Sequence, residues 1–216
     1  SAGFAVILKN KNYMFVDGRY TIQAGIQCGK EFQICNIPKE YPFKIFKKKI
    51  LNLGFDPKLH TENSLNRLFD NNFIKLKPVN ENLIDLIWKR ERNSKIKPFY
   101  LIKDQDAGLK VQKKLDKLVK VIKSNKADYL FTTASENVAW LLNIRGQDTS
   151  YSPLPNSHAM IDKNGKVLLF CNLKKIDKSF KAKINKSVKI YDFNLLPNYF
   201  LNLINKKVLI DFSSCS

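Results

Sequence analysis

Apolar and polar positions alternate in short blocks at the front of the chain and fall into helix-spaced patterns further on. Residues 4–9 and 13–17 are apolar runs joined by Asn10-Lys11-Asn12, which predicts a hairpin. Arg19 to Cys28 carries apolar Tyr20, Ala24 and Ile26 ahead of Gly29, predicting a short helix with a glycine stop. Residues 43–53 mix Phe, Ile and Leu with Lys47-Lys48-Lys49 and predict another helix. Gly54-Phe55-Asp56-Pro57 follows, where proline pre-sets a turn or a helix start. A polar helix through Leu65 and Leu68 then leads to a strand at Phe73 to Leu76.

The pattern changes character from Pro78 to Tyr100. Asn80-Glu81-Asn82 precedes a short apolar segment ending in Trp88, and the charged stretch Lys89 to Lys97 closes at Pro98. We read residues 79–97 as a linker between a first part, residues 1–78, and a second, residues 98–216. In the second part, Ala107 to Lys126 places Val111, Leu115, Leu118, Val119 and Ile122 on one helical face; its lysine-rich face reads as solvated. Tyr129 to Thr132 is a strand, and Ser135 is placed to cap a helix over Glu136 to Ile144 carrying Val138, Trp140, Leu141 and Leu142. Arg145 to Asn156 is a polar, proline-containing loop. Ala159 to Ile161 and Lys166 to Phe170 flank Asn164-Gly165, the strongest hairpin signal in the chain. A helix at 173–184, a strand at 188–193, a helix at 195–204 and a strand at 207–211 complete the pattern, so the class is α/β with mixed sheets flanked by helices.

Composition adds little to that picture. Of the 216 residues, 44% are hydrophobic and 26% charged, which is ordinary for a globular chain. No apolar run approaches the roughly 20 residues that span a bilayer, and no signal peptide is visible, so neither a membrane nor a secretory route is expected. The first residue is Ser, inside an apolar stretch, and the last follows closely on Val208 to Ile210; both ends read as cuts.

The net charge of +19 invites a nucleic-acid reading. Only Arg19, Arg67, Arg90, Arg92 and Arg145 are arginines among 38 basic residues, and the lysines run the whole length. Arginine forks onto phosphates and bases whereas lysine mostly solvates a surface, so no nucleic-acid partner is expected.

Candidate chemistry is sparse. His60 and His158 are the two histidines, with no metal-binding frame, and Ser157-His158 are strand neighbours pointing to opposite faces. Cys28, Cys35, Cys171 and Cys215 form no C-x-x-C pair and read as buried free thiols in a reducing cytoplasm. Gly25 to Lys30 is superficially like a phosphate loop, but it has three residues between its glycines and Glu31 where Ser or Thr would hold magnesium. No catalytic set or metal site emerges from the residues.

Two segments say more. One is Ser1-Ala2-Gly3 followed by the hairpin and Asp17-Gly18-Arg19-Tyr20. The other is Glu136-Asn137-Val138-Ala139-Trp140-Leu141-Leu142-Asn143-Ile144-Arg145-Gly146-Gln147-Asp148, ending in Tyr151-Ser152-Pro153. Together with Gly54-Phe55-Asp56-Pro57, Asn82 to Trp88, Ala107-Gly108-Leu109 and Leu209 to Ser216, they resemble the N-terminal, creatinase-like region of three-domain Xaa-Pro aminopeptidases. The resemblance runs through nearly the whole chain in sequence order.

That resemblance implies two creatinase-like domains of ribonuclease H-like motif, the first cut short at its front. It implies a parent that removes the N-terminal residue from peptides with proline second. The pita-bread domain that follows in the family carries two divalent metals, usually manganese, on Asp, Asp, His, Glu and Glu, and none of it is in this sequence. This part would shape the substrate cleft, without catalytic or metal-ligating residues of its own, in a cytoplasmic homodimer. Arg145, Asp148 and Tyr151 are the candidate substrate contacts, the bland reading being that Arg145 pairs with Asp148 and shapes the loop. Asp17 and Arg19 are expected to brace the hairpin-to-helix turn, and Trp140 to lie in the core. Gln147, Thr149-Ser150 and Asn156-Ser157-His158 depart from the family's commoner choices. The competing reading is a non-catalytic peptidase-like scaffold.

Overall fold

The computed structural model describes residues 3–70, 72–88 and 96–216. The chain divides into two compact units, Ser1–Trp88 and Lys89–Ser216. Ser1-Ala2 and most of the charged stretch read as linker, residues 89–95, lie outside the described residues.

In the first unit, β1 (Gly3–Ile7) and β2 (Asn12–Asp17) form the expected antiparallel hairpin. Arg19 donates to Asp17 through Nε at 2.9 Å and its backbone N–H at 2.9 Å, so the pair braces the entry to α1 (Thr21–Cys28). That helix stops at Gly29, whose φ of 59° few side chains tolerate. The chain returns as β3 (Phe32–Ile37), parallel to β2. The helix expected over residues 43–53 is the short α2 (Pro42–Ile45) followed by β4 (Leu51–Phe55). Phe46 is fully buried there, while Lys47 to Ile50 are exposed. An apolar anchor beside a lysine cluster fits a turn into a half-buried strand better than a continuing helix.

Next come α3 (Glu62–Phe69), capped by Thr61, and β5 (Ile74–Pro78), parallel to β4. The short α4 (Leu83–Ile87) is capped by Asn82, whose side-chain Nδ2 donates to Asp56 at 2.9 Å. Residues 79–88 thus belong to the first unit. Its core gathers Val6, Tyr13, Phe15, Cys35, Phe46 and Ile74.

The second unit is built on one five-stranded sheet. Its elements before the sheet are β6 (Tyr100–Leu101), α5 (Asp104–Ala107) and α6 (Val111–Ser124). The helix expected over 107–126 is present as the unbroken α6, which starts only at Val111 because Gly108, at a left-handed φ of 71°, ends α5 ahead of it. Then follow β7 (Tyr129–Thr132), α7 (Ser135–Leu142), β8 (Ile144–Arg145), β9 (Ser157–Asp162) and β10 (Val167–Cys171). Ser135 is the first residue of α7 and not its cap, and the helix ends at Leu142. The expected helix at 173–184 is a turn at Leu173–Lys175 and then α8 (Lys178–Lys183), because Asp177 starts a new helix by accepting from Phe180 N–H at 2.7 Å. β11 (Val188–Asp192), α9 (Leu196–Leu201) and β12 (Val208–Leu209) complete the unit.

The strand order is β11-β10-β9-β7-β12, with β9 antiparallel to both neighbours and the outer pairs parallel. This is the mixed sheet flanked by helices that the pattern predicts. Period-two alternation gives the sheet two apolar faces. Ala159, Ile161, Val167, Leu169 and Cys171 pack with Leu115 and Ile122 of α6 and Val138, Leu141 and Leu142 of α7. Met160, Phe170 and Phe131 pack on the other face with Tyr191, Leu196, Tyr199 and Cys215. Cys35 and Cys171 are buried free thiols, whereas Cys28 and Cys215 are only half-buried. Burial pushes the Cys171 thiol up to about 12 and Cys35 to about 11, so both are inert as nucleophiles.

Candidate functional site

The loop 145–156 holds the three candidate contacts, and its geometry starts at the end of α7. Val138, Ala139, Leu141 and Leu142 bury that helix against the sheet. Asn143 ends it in the left-handed conformation, φ 53° and ψ 34°, and is 3% exposed. Its N–H donates to Ala139 O, closing the last turn. Arg145 then pairs with Tyr100 in the β6–β8 ribbon. Its Nη1 donates to Ala139 O at 3.0 Å and Ile144 O at 2.9 Å. A cation on the last carbonyls of a helix complements the negative end of its dipole.

The loop is closed by its own backbone. Gly146 N–H donates to Pro153 O at 3.2 Å, and a Cβ at Gly146 would lie 2.7 Å from Pro155 Cα and 2.9 Å from Leu154 O. Only glycine allows the two limbs to approach this closely. Asp148 accepts from Asn156 N–H at 2.6 Å and pairs with Lys175, which follows β10. Tyr151, at the tip, has a φ of 63° and is fully exposed.

Arg145 and Asp148 therefore do not pair with each other. Arg145 is engaged by the Ala139 and Ile144 carbonyls and Asp148 by Lys175 and Asn156, so the Arg145–Asp148 pair of the bland reading is corrected. Tyr151 alone of the three presents its whole side chain to solvent. Trp140, expected in the core, is 57% exposed, because its side of α7 faces away from the sheet; Lys114 Nζ lies 4.4 Å over its ring.

Two residues that the sequence reading passed over hold the base of the loop. Lys114 on α6 is 2% exposed and donates to Trp140 O and Asn143 Oδ1, each at 2.5 Å. Asn143 Nδ2 donates to Leu109 O at 3.1 Å and Asp104 Oδ1 at 3.5 Å. Burial, then the neighbouring Arg145 charge, lowers the Lys114 pKa, and Asp104 works the other way. The signal was in the spacing: Lys114 is three residues after Val111 and four before Leu118, on the edge of the apolar stripe.

Ser157 and His158 sit back to back on β9. Ser157 is buried with its hydroxyl donating to Pro155 O at 3.1 Å, on the face opposite His158. The His158 ring meets Phe131 and Phe193 edge-on, at 6.0 and 5.1 Å, and its Nδ1 is buried without a partner. Burial lowers its pKa, outweighing contacts with the Ser157 and Thr133 backbone. Among the described residues, no three His, Cys, Asp or Glu side chains converge as a cation site, and no helix is long and apolar enough to cross a membrane.

The creatinase/prolidase N-terminal domain family matches residues 90–216. A probable Xaa-Pro aminopeptidase P of Coprinopsis cinerea is 30% identical over 94% of this chain and 34% of its own length. The Caenorhabditis elegans Xaa-Pro aminopeptidase app-1 is 27% identical over 96% of this chain and 35% of its own. A crystal structure of X-prolyl aminopeptidase from Caenorhabditis elegans, described as a cytosolic enzyme with a di-nuclear active site, superposes with a TM-score of 0.82 at 26% identity, covering 94% of this chain. The chain spans about a third of the length of the curated relatives it matches.

Two outcomes follow from the site geometry. Asp148→Asn leaves the largely buried Lys175 ammonium without a counter-charge, so urea denaturation should show a loss of about 2–3 kcal/mol. A loss below about 0.5 kcal/mol would mean the pair is no stronger than a surface one. For His158, the lowered folded pKa means the unfolded chain takes up its proton first as pH falls. Stability is full above an unfolded pKa of about 6.5 and declines below it. His158→Phe should flatten that decline between about pH 7 and 5, as read by urea midpoints; an unchanged slope would assign it to other groups.

Proposed function

The chain belongs to the creatinase/prolidase N-terminal domain family, and on that footing we propose that it is the cleft-shaping part of a metal-dependent Xaa-Pro aminopeptidase. The parent removes the N-terminal residue from peptides with proline in second position. The observation carrying this reading is the likeness to Xaa-Pro aminopeptidases along 94% of this chain but only 34% of theirs. In our reading the chemistry of the parent lies outside the stretch matched here.

We read residues 1–78 as creatinase-like domain I and 98–216 as creatinase-like domain II; of the segment 79–97 between them, residues 79–88 pack with the first unit. The parent is a cytoplasmic homodimer, and the solved relative's description as a cytosolic enzyme supports the compartment. Its two divalent metals, manganese in our reading, have no place here: the described residues offer no converging ligand group, so they do not fit such a pair. Held elsewhere in the parent, such metals would supply Lewis-acid chemistry, and no residue described here would ligate them.

This chain's own contribution is the loop 145–156. Arg145 fixes the foot of the loop to α7, Asp148 holds its far limb, and Tyr151 offers an amphipathic ring to the peptide. A preset loop loses little freedom on binding, which favours positioning over raw affinity.

The test is peptide release from an Xaa-Pro tripeptide, comparing the 216-residue chain with the product of the full reading frame. We expect no release by the chain alone and release by the longer product that a chelator abolishes. A frame that stops at Ser216, or a longer product without activity, would overturn the enzyme reading and leave a peptidase-like binding scaffold.

A further inference from the structure

A lysine whose ammonium is removed from water needs a reason, since an apolar residue of similar length would fill the same space without the desolvation cost. Lys114 is 2% exposed on α6, and its Nζ donates at 2.5 Å to both Trp140 O and Asn143 Oδ1 while lying over the Trp140 ring. Both oxygens belong to the last turn of α7 and its cap. Arg145 reaches the same helix end through Ala139 O, so two cations clamp one set of carbonyls. From that end, Asn143 O accepts from Ile102 N–H at 3.0 Å, and β8 leads directly into Gly146 and the loop.

We propose that Lys114 is a positioning residue for the loop 145–156: by holding Asn143 in its left-handed cap, it sets the direction in which the chain leaves α7 and therefore where the loop stands. It acts through Asn143 and touches no residue of the loop tip. The neutral alternatives are poor. An apolar side chain would leave Asn143 Oδ1 buried without its lysine donor and take one donor from Trp140 O, and the cap would turn toward water to recover them. The functional weight of this residue rests on reading the loop as a peptide contact; its structural effect does not.

Amide hydrogen exchange separates local from global effects, because amides opened by local motion respond apart from those that need whole-unit unfolding. In Lys114→Met, amides at Ile102, Gly146 and Asn156 should exchange about tenfold faster or more, while β9 and β10 amides change by less than about threefold. Asn143→Gly, which keeps the left-handed backbone accessible but removes the buried one of the lysine's two acceptors, should give the same pattern. Equal acceleration at both sets would make Lys114 a general stabilising residue and overturn the proposal, as would no change at the loop. Failure of both variants to fold would do so too, since the pair would then be needed for the unit as a whole. The exchange pattern is independent of peptide release, so this proposal and the enzyme reading fail separately.

Discussion

Asn143 ends α7 at φ 53° and ψ 34° and is 3% exposed; its amide accepts from Lys114 and donates to Leu109 O and Asp104. Glycine would adopt that backbone more easily, since a left-handed non-glycine residue costs on the order of 1 kcal/mol. Asparagine is worth that cost because one side chain then links α6, the α5–α6 turn and the helix end. All that follows in the chain inherits its direction from this point. Ile102 N–H donates to Asn143 O at the end of the β6–β8 ribbon, and Arg145 turns back from that exit onto Ala139 O. The Asp148–Lys175 pair then pins the far limb to the segment after β10.

Behind the loop, the sheet supplies rigidity from two faces. Alternation along β9 and β10 sends Ala159, Ile161 and Leu169 toward α6 and α7, and Met160 and Phe170 toward the aromatic layer with Tyr191 and Tyr199. Strands buried on both sides cannot slip register without exposing one whole apolar set. The loop is therefore mounted on an element with little freedom of its own.

Much of this was legible from pattern alone. The β1–β2 hairpin, the glycine stop at Gly29, the Asn164-Gly165 turn and the alternation of strands and helices in the second unit all follow from local chemistry, which needs no tertiary knowledge. Helix starts were less legible. Asp177 divides the stretch 173–184 by starting a second helix, and Gly108 delays the start of α6 to Val111; neither leaves a mark in the apolar pattern, which reports the face of a helix and not where the backbone begins one. Trp140 read as core because a large aromatic in an apolar helix usually is; it lies exposed under the Lys114 ammonium. The partners of Arg145 and Asp148 come from residues far along the chain or from backbone oxygens, and neither source leaves a motif. Lys114 was masked by its neighbours, one lysine of many, although its spacing places it beside Val111 and Leu118.

A fold shared with Xaa-Pro aminopeptidases carries a loop whose stance is fixed from inside the second unit. The central claim is that this loop meets the peptide. The direct measurement is photo-cross-linking from position 151, with a benzophenone side chain replacing Tyr151 in the product of the full reading frame and a labelled Xaa-Pro peptide as target. The account predicts adducts at position 151 that an excess of unlabelled peptide suppresses. Adducts that do not compete, or none at all while peptide release persists, would contradict it and reduce the loop to a structural clasp.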